Sequence, residues 1–190
     1  LLTKYSHGKE EALKMEINEN VQANLINNIF VVNSFLDLVR HGKEKKIIFI
    51  SSPSGDIEFN RVTGVTNMLG YSVSKAGMNI VTTKFGAELA QEGIKTLSLS
   101  PGWVDTDAGQ SPLQRESCRT QITDSGTART ITGDPAIRKL ILSAFHKVDP
   151  SVDGPISVDE SVTDQLQVIL GLTEADSGKF VSHHGNNDWF

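Results

Sequence analysis

Residues 70–100 read "GYSVSKAGMNIVTTKFGAELAQEGIKTLSLS". Val73, Gly77, Ile80, Val81, Phe85 and Leu89 share one face at helical spacing, and Gly93 is placed to end the helix. Residues 94–100 then form a strand that Pro101 and Gly102 stop. Upstream, "KIIFIS" at 46–51 is a continuous apolar, β-branched run, the pattern of a strand buried on both faces. Before it, Ile17, Val21, Leu25, Ile29, Val32, Leu36 and Val39 mark a long helix over residues 15–40, with Gly42 as its stop. Helix, strand, helix, strand in that order predicts right-handed crossovers and a parallel sheet, hence an α/β fold.

The segment "SPSGDIEFNRVTGVTNML", residues 52–69, is rich in turn residues and reads as a loop. Residues 108–133 are polar and Ser/Thr-rich, and we expect a mobile substrate loop there. Beyond it, Asp134 can cap a helix and Pro135 suits its first position, while Ile137, Leu140, Ile141, Ala144, Phe145 and Val148 form one apolar stripe. "SVDESVTDQLQVILG", residues 157–171, predicts another helix, opened by a Ser157 to Glu160 capping box and closed by Gly171. "GKFVSHHG", residues 178–185, reads as a last short strand. There are no internal repeats, and 190 residues suit a single domain over 1–190.

A net charge of −5, with no basic block beyond "RHGKEKK", argues against a nucleic-acid partner. The lone cysteine, Cys118, has no internal disulfide partner, which suits a reducing compartment and a cytoplasmic location. No apolar run approaches the ~20 residues of a membrane span, so no membrane partner is expected. The chain opens at Leu1 without an initiator methionine, as if cut from something longer.

Tyr71 and Lys75 stand at i and i+4 in the first turns of their helix and therefore point the same way. A free tyrosine titrates near pH ~10, but a nearby ammonium favours the phenolate and lowers that value. The helix N-terminus adds partial positive charge at the same end. Both effects are expected to ready Tyr71 for proton transfer. The preceding strand ends in Ser51 and Ser52, the next delivers "PGWVDT", and the long helix carries Asn24. In open α/β sheets, ligands bind at such carboxyl ends.

With "NVQANLINNIFVVNSFL", "KIIFISS", "YSVSKAGMN", "LSLSPGWVDTD" and "DSGKFVSHHGNNDWF", the chain resembles the C-terminal two-thirds of short-chain dehydrogenases/reductases. The likeness is to the small carbonyl-reductase branch that includes the C-factor and Sniffer proteins. It implies an incomplete Rossmann-type, doubly wound parallel sheet and an NAD(P)-dependent oxidoreductase that reduces a small carbonyl or oxidises an alcohol. It further implies Tyr71 as general acid/base, Lys75 as the group that lowers its pKa and holds the nicotinamide ribose, and Ser52 as the residue that orients the carbonyl. Asn24 would kink its helix and anchor a water relaying protons to Lys75. Pro101, Gly102, Val104 and Thr106 match the segment that touches the nicotinamide, and Trp103 would face substrate. NADP(H) is favoured over NAD(H), and the two long helices are implied as a homo-oligomer contact.

Two features depart from the family pattern. Ser52 and Tyr71 are 71 − 52 = 19 positions apart, longer than usual in the family, which leaves Ser51 and Ser54 as alternatives to Ser52. The glycine-rich pyrophosphate turn is missing, since no two glycines are two positions apart. Three readings follow: a piece of a complete reductase, a truncated remnant serving as a binding or dimerisation module, or an acid/base enzyme needing no hydride. No metal is expected. His183 and His184 are adjacent, so on a strand they would face opposite ways, and no partner is spaced for coordination. Asp105 and Asp107 are read as turn and capping residues, Lys84 and Glu88 as a solvated pair, and Trp189 and Phe190 as packing at the substrate rim.

Overall fold

The computed structural model describes residues 8–106 and 135–190. The expected substrate loop at 108–133, together with Asp107, Cys118 and Asp134, lies outside the described residues. The chain begins with α1 (Glu10–Val21), a π-helical turn (Gln22–Ile26) and α2 (Asn27–His41), followed by β1 (Lys46–Ile50). A 3-10 turn (Pro53–Gly55), α3 (Ile57–Thr63), α4 (Leu69–Leu89) and β2 (Lys95–Leu99) come next. Then come α5 (Pro135–Phe145), α6 (Val158–Gly171) and β3 (Lys179–Val181). The strands form a parallel sheet in the order β1-β2-β3, with Lys46 opposite Lys95 and Leu97 opposite Lys179. This is the expected α/β architecture.

Strand alternation sorts the core into two layers. On one face Ile47 and Phe49 pack with Met78, Leu89 and Ile94, joined by Val32, Leu36 and Val39 of α2 and by Phe85 of α4. On the other, Leu97, Leu99 and Val181 pack with Leu172, Ile48 and the α6 residues Val168 and Ile169. Lys46 ties α6 to the sheet by donating to the carbonyls of Ile169 (2.9 Å) and Leu170 (3.2 Å) at the helix C-terminus. No helix among the described residues is long and apolar enough to cross a membrane.

Two local expectations need correction. The stretch after β1 is not all loop, because α3 forms within it. Asp56 accepts from the Phe59 amide at 2.6 Å as N-cap, Gly64 ends the helix in the left-handed region at φ 68°, and Phe59 and Thr63 are buried. Nor do the two histidines lie on a strand. β3 ends at Val181, and the Gly185 amide donates to the Ser182 carbonyl at 2.9 Å, so His183 and His184 are the central residues of a turn. Strand alternation does not govern them, and their rings lie against each other with centroids 3.9 Å apart.

Candidate active site

The candidate site lies where β1 and β2 end and α4 begins. α4 is seated closely at its start: a Cβ on Gly70 would lie 2.4 Å from the Glu16 carbonyl oxygen of α1, and one on Gly77 would lie 2.8 Å from Leu25 of the π turn. At position 70, where the neighbour is backbone, only glycine permits this approach. The Met68 backbone at the helix start is left-handed, at φ 59°, an uncommon state for a residue with a side chain.

The three candidate serines separate clearly. Ser51 continues the β1 ladder by donating its amide to the Leu99 carbonyl at 2.8 Å, and its hydroxyl donates to Asn79 at 2.6 Å inside the fold. Ser52 caps the 3-10 turn, its Oγ accepting from the Ser54 amide at 3.2 Å, and its side chain reaches the Tyr71 phenol and favours its ionised form. Ser54 gives its carbonyl to Asn60 at 2.8 Å. Ser52 is therefore the serine that meets the tyrosine. The nineteen-position separation is spanned by the 3-10 turn and α3.

Lys75 lies one turn along α4, its Nζ 5.5 Å from the centre of the Tyr71 ring and 2.7 Å from the Ile50 carbonyl oxygen, to which it donates. The ammonium is thus over the ring. The effect on acidity differs from expectation: burial raises the Tyr71 pKa above its ordinary value, and the Ser52 hydrogen bond offsets part of that rise. Burial likewise lowers the Lys75 pKa. Loss of water around the phenol outweighs the stabilisation expected from the ammonium, which the sequence spacing could not weigh.

Asn24 sits within the π turn and donates from Nδ2 to Ser74 Oγ at 3.0 Å, while the Ser74 hydroxyl donates to the Tyr71 carbonyl at 2.7 Å. The structure thus links Asn24 to the turn that carries Tyr71, through Ser74. Residues 101–106 leave β2 and are pinned on their far side. Pro101 accepts from the Ser161 hydroxyl at 2.6 Å, Val104 bridges Ile156 in parallel, and Gly102 is left-handed at φ 82°. A Cβ at Gly102 would lie 2.9 Å from His183 Nδ1, so glycine is needed for both reasons. Thr106 is exposed.

Trp103 meets Phe145 edge-on at 5.2 Å, and Phe145 packs on Phe190 at 4.3 Å and on Phe59 at 5.8 Å. This aromatic cluster joins α3, α5 and the C-terminal residue. Its members were separately visible as apolar residues, but nothing local in the sequence announces that they meet. Trp189 instead stacks on Phe180 at 4.7 Å and is buried.

Parallel strands flanked by helices, with Ser52 just after β1 and Tyr71 and Lys75 in the first turns of α4, give a Rossmann-type α/β fold. The short chain dehydrogenase family matches residues 4–117, and the chain belongs to that family. It is 49% identical over 182 residues to the short-chain dehydrogenase/reductase atnB of Arthrinium sp, covering 96% of this chain and 61% of that protein. It is 32% identical over 180 residues to AacuF of Aspergillus aculeatus, covering 93% of this chain and 60% of that one. The chain thus spans about three fifths of the length of these curated relatives. Among solved structures, NADPH-bound carbonyl reductase from chicken fatty liver superposes with a TM-score of 0.62 at 23% identity, covering 90% of this chain and 56% of that one. The carbonyl reductase Sniffer of D. melanogaster gives 0.60 at 22% identity, with the same coverages. Both share the fold.

Proposed function

We propose that this chain carries the proton-transfer centre of an NAD(P)-dependent carbonyl reductase or alcohol dehydrogenase acting on a small molecule. The observation that supports this most is the placement of Lys75 one helical turn from the half-buried Tyr71, its Nζ 5.5 Å from the ring centre, with the Ser52 side chain acting on the same phenol. A phenol with a raised pKa is protonated at neutral pH, which is the donor state required for reduction. Ser52 directs the carbonyl oxygen to the phenol, and Tyr71 donates its proton as negative charge develops on that oxygen. Lys75 stabilises the phenolate that remains. Asn24 acts as a positioning residue through Ser74.

Lys75, Tyr71, Pro101, Gly102, Val104 and Thr106 would hold the nicotinamide end of a cofactor. The donor set suits that end: an ammonium, a hydroxyl, and a backbone segment whose left-handed glycine lets it pass close to its neighbours. A nicotinamide would supply hydride to the carbonyl carbon. The NADPH bound to the chicken enzyme favours NADP(H). No two glycines stand two apart in this chain, so the pyrophosphate end would need residues beyond these 190. A cytoplasmic location accompanies this reading.

In a protein of the relatives' full length, Tyr71→Phe is expected to lower turnover by at least ~10²-fold while NADPH binding and the fold persist. Wild-type turnover in that variant would overturn the assignment. A second reading, a pairing module without catalysis, draws on Phe30, Phe35 and Leu38 of α2 and Ile80 of α4, each more than half exposed. NADPH titration of the full-length protein separates the two, and sedimentation tests homo-oligomer formation through these helices.

A further inference from the structure

The turn after β3 brings His183 and His184 against Asp164, a residue in the second turn of α6. One candidate ligand atom from each residue lies within 4.8 Å of the other two, and Asp164 Oδ2 is 3.9 Å from His184 Nδ1. The turn is itself firmly held. Ser182 Oγ pairs with Asn186 Oδ1 at 2.9 Å, the Ser182 amide donates to the Asn186 carbonyl at 2.7 Å, and Gly185 takes the left-handed state at φ 78°. Two adjacent imidazoles and a carboxylate from another element are therefore presented together by the backbone.

We propose that Asp164, His183 and His184 form a binding site for a divalent transition-metal ion of the zinc type. Two observations carry it besides the proximity. His183 is 1% exposed, and its Nδ1 is buried with no hydrogen-bond partner, so a ring nitrogen is left without the contact that buried polar atoms ordinarily have. A cleft of about 430 Å³ opens beside the cluster, lined also by Leu97, Val168 and Leu172, which leaves room for a water or a further ligand on the ion. Tetrahedral zinc with bonds of ~2.0–2.1 Å sets its ligand atoms roughly 3.4 Å apart, so the three groups need close by no more than about an ångström and a half. Two imidazoles and one carboxylate select first-row transition ions over magnesium or calcium, which prefer all-oxygen shells.

The site borders the segment 101–106 of the candidate active site at two points. His183 packs on Gly102, and α6, which carries Asp164, also holds Pro101 through Ser161. An ion here would tie β3, α6 and the segment 101–106 together.

The test is titration of this chain with Zn²⁺ by calorimetry, and with Co²⁺ followed by visible absorption, in the wild type and in His184→Ala and Asp164→Asn. Both altered residues reach solvent, so circular dichroism should show the fold unchanged. The expected result is one ion per chain in the wild type, a higher Tm with Zn²⁺, and tetrahedral or five-coordinate Co²⁺ bands. Each variant should lose affinity by more than the roughly tenfold to hundredfold that loss of an orienting partner costs. His183→Gln, in a buried position, serves as a third variant. No binding, or binding that both exposed variants leave unaltered, would overturn the site and leave His184 and Asp164 as an ordinary ion pair.

Discussion

The two faces of the sheet are covered in different ways. α4 lies against its face through small and polar residues interleaved with Met78, Phe85 and Leu89. Gly70, Ser74, Thr82 and Gly86 are buried along it together with Met78 and Leu89, and Thr82 shares a 2.7 Å hydrogen bond with Ser98 of β2. α6 covers the other face with Val168 and Ile169 over Leu97, Leu99 and Val181, and leaves the 430 Å³ cleft along one side. The first arrangement allows almost no adjustment, because the neighbouring backbones are already at contact distance. The second tolerates change. The residues proposed to move a proton stand on the tightly seated helix, which suits groups that must be held within a fraction of an ångström.

The strongest test of this contrast is Gly86→Val. A Cβ there would lie 2.8 Å from Thr96 Oγ1 and 3.1 Å from the Gly178 backbone, so β2 and the start of β3 must move. We expect a loss of about 3 kcal/mol, at the upper end for overpacking, read from the midpoint of urea unfolding. A change under ~1 kcal/mol would show that α4 is seated more loosely than its contacts imply. Thr82→Val should cost about 2 kcal/mol in the same measurement, because it keeps the shape but leaves the buried Ser98 hydroxyl without its partner.

Gly171→Ala carries the opposite sign. Nothing lies within 4 Å of a Cβ added to this last residue of α6, so the gain in helix propensity should stabilise the fold by ~0.5–1 kcal/mol. A loss there would remove the contrast between the two faces. The smallest effect concerns pH. Tyr71 titrates higher in the folded chain than in the unfolded one, so its contribution to stability is complete below the unfolded value near ~10 and is lost as pH rises through the folded pKa. In a spectrophotometric titration, Tyr71→Phe should remove the transition that lies above the ordinary tyrosine value and reduce the alkaline loss of stability.

Legibility followed the length and period of each element. β1, β2, α4 and α6 were readable because a continuous apolar run or several helical turns repeat the same signal. α3 was not, since seven residues hold too few turns for a period to show. Asp56 and Gly64 flanked it as cap and stop, and those signs were outweighed by the surrounding turn residues. Alternation stops at Val181, and Gly185 is the local sign of the turn that holds the histidine pair. Asp164 stands 19 and 20 positions before His183 and His184, counting 183 − 164 and 184 − 164, and no local pattern could have joined them. In the candidate active site, the spacing of Tyr71 and Lys75 was plain, whereas the choice among Ser51, Ser52 and Ser54 was open.

By itself the chain's order of residues determined that Tyr71 and Lys75 share a helix face and that buried parallel strands precede and follow them, because these are consequences of backbone period. Folding in three dimensions decided which serine reaches the phenol, which way the phenol's acidity moves, and that two histidines meet an aspartate. Each of those outcomes depends on how much water is removed and on which distant segments come together, quantities set by the packed chain as a whole.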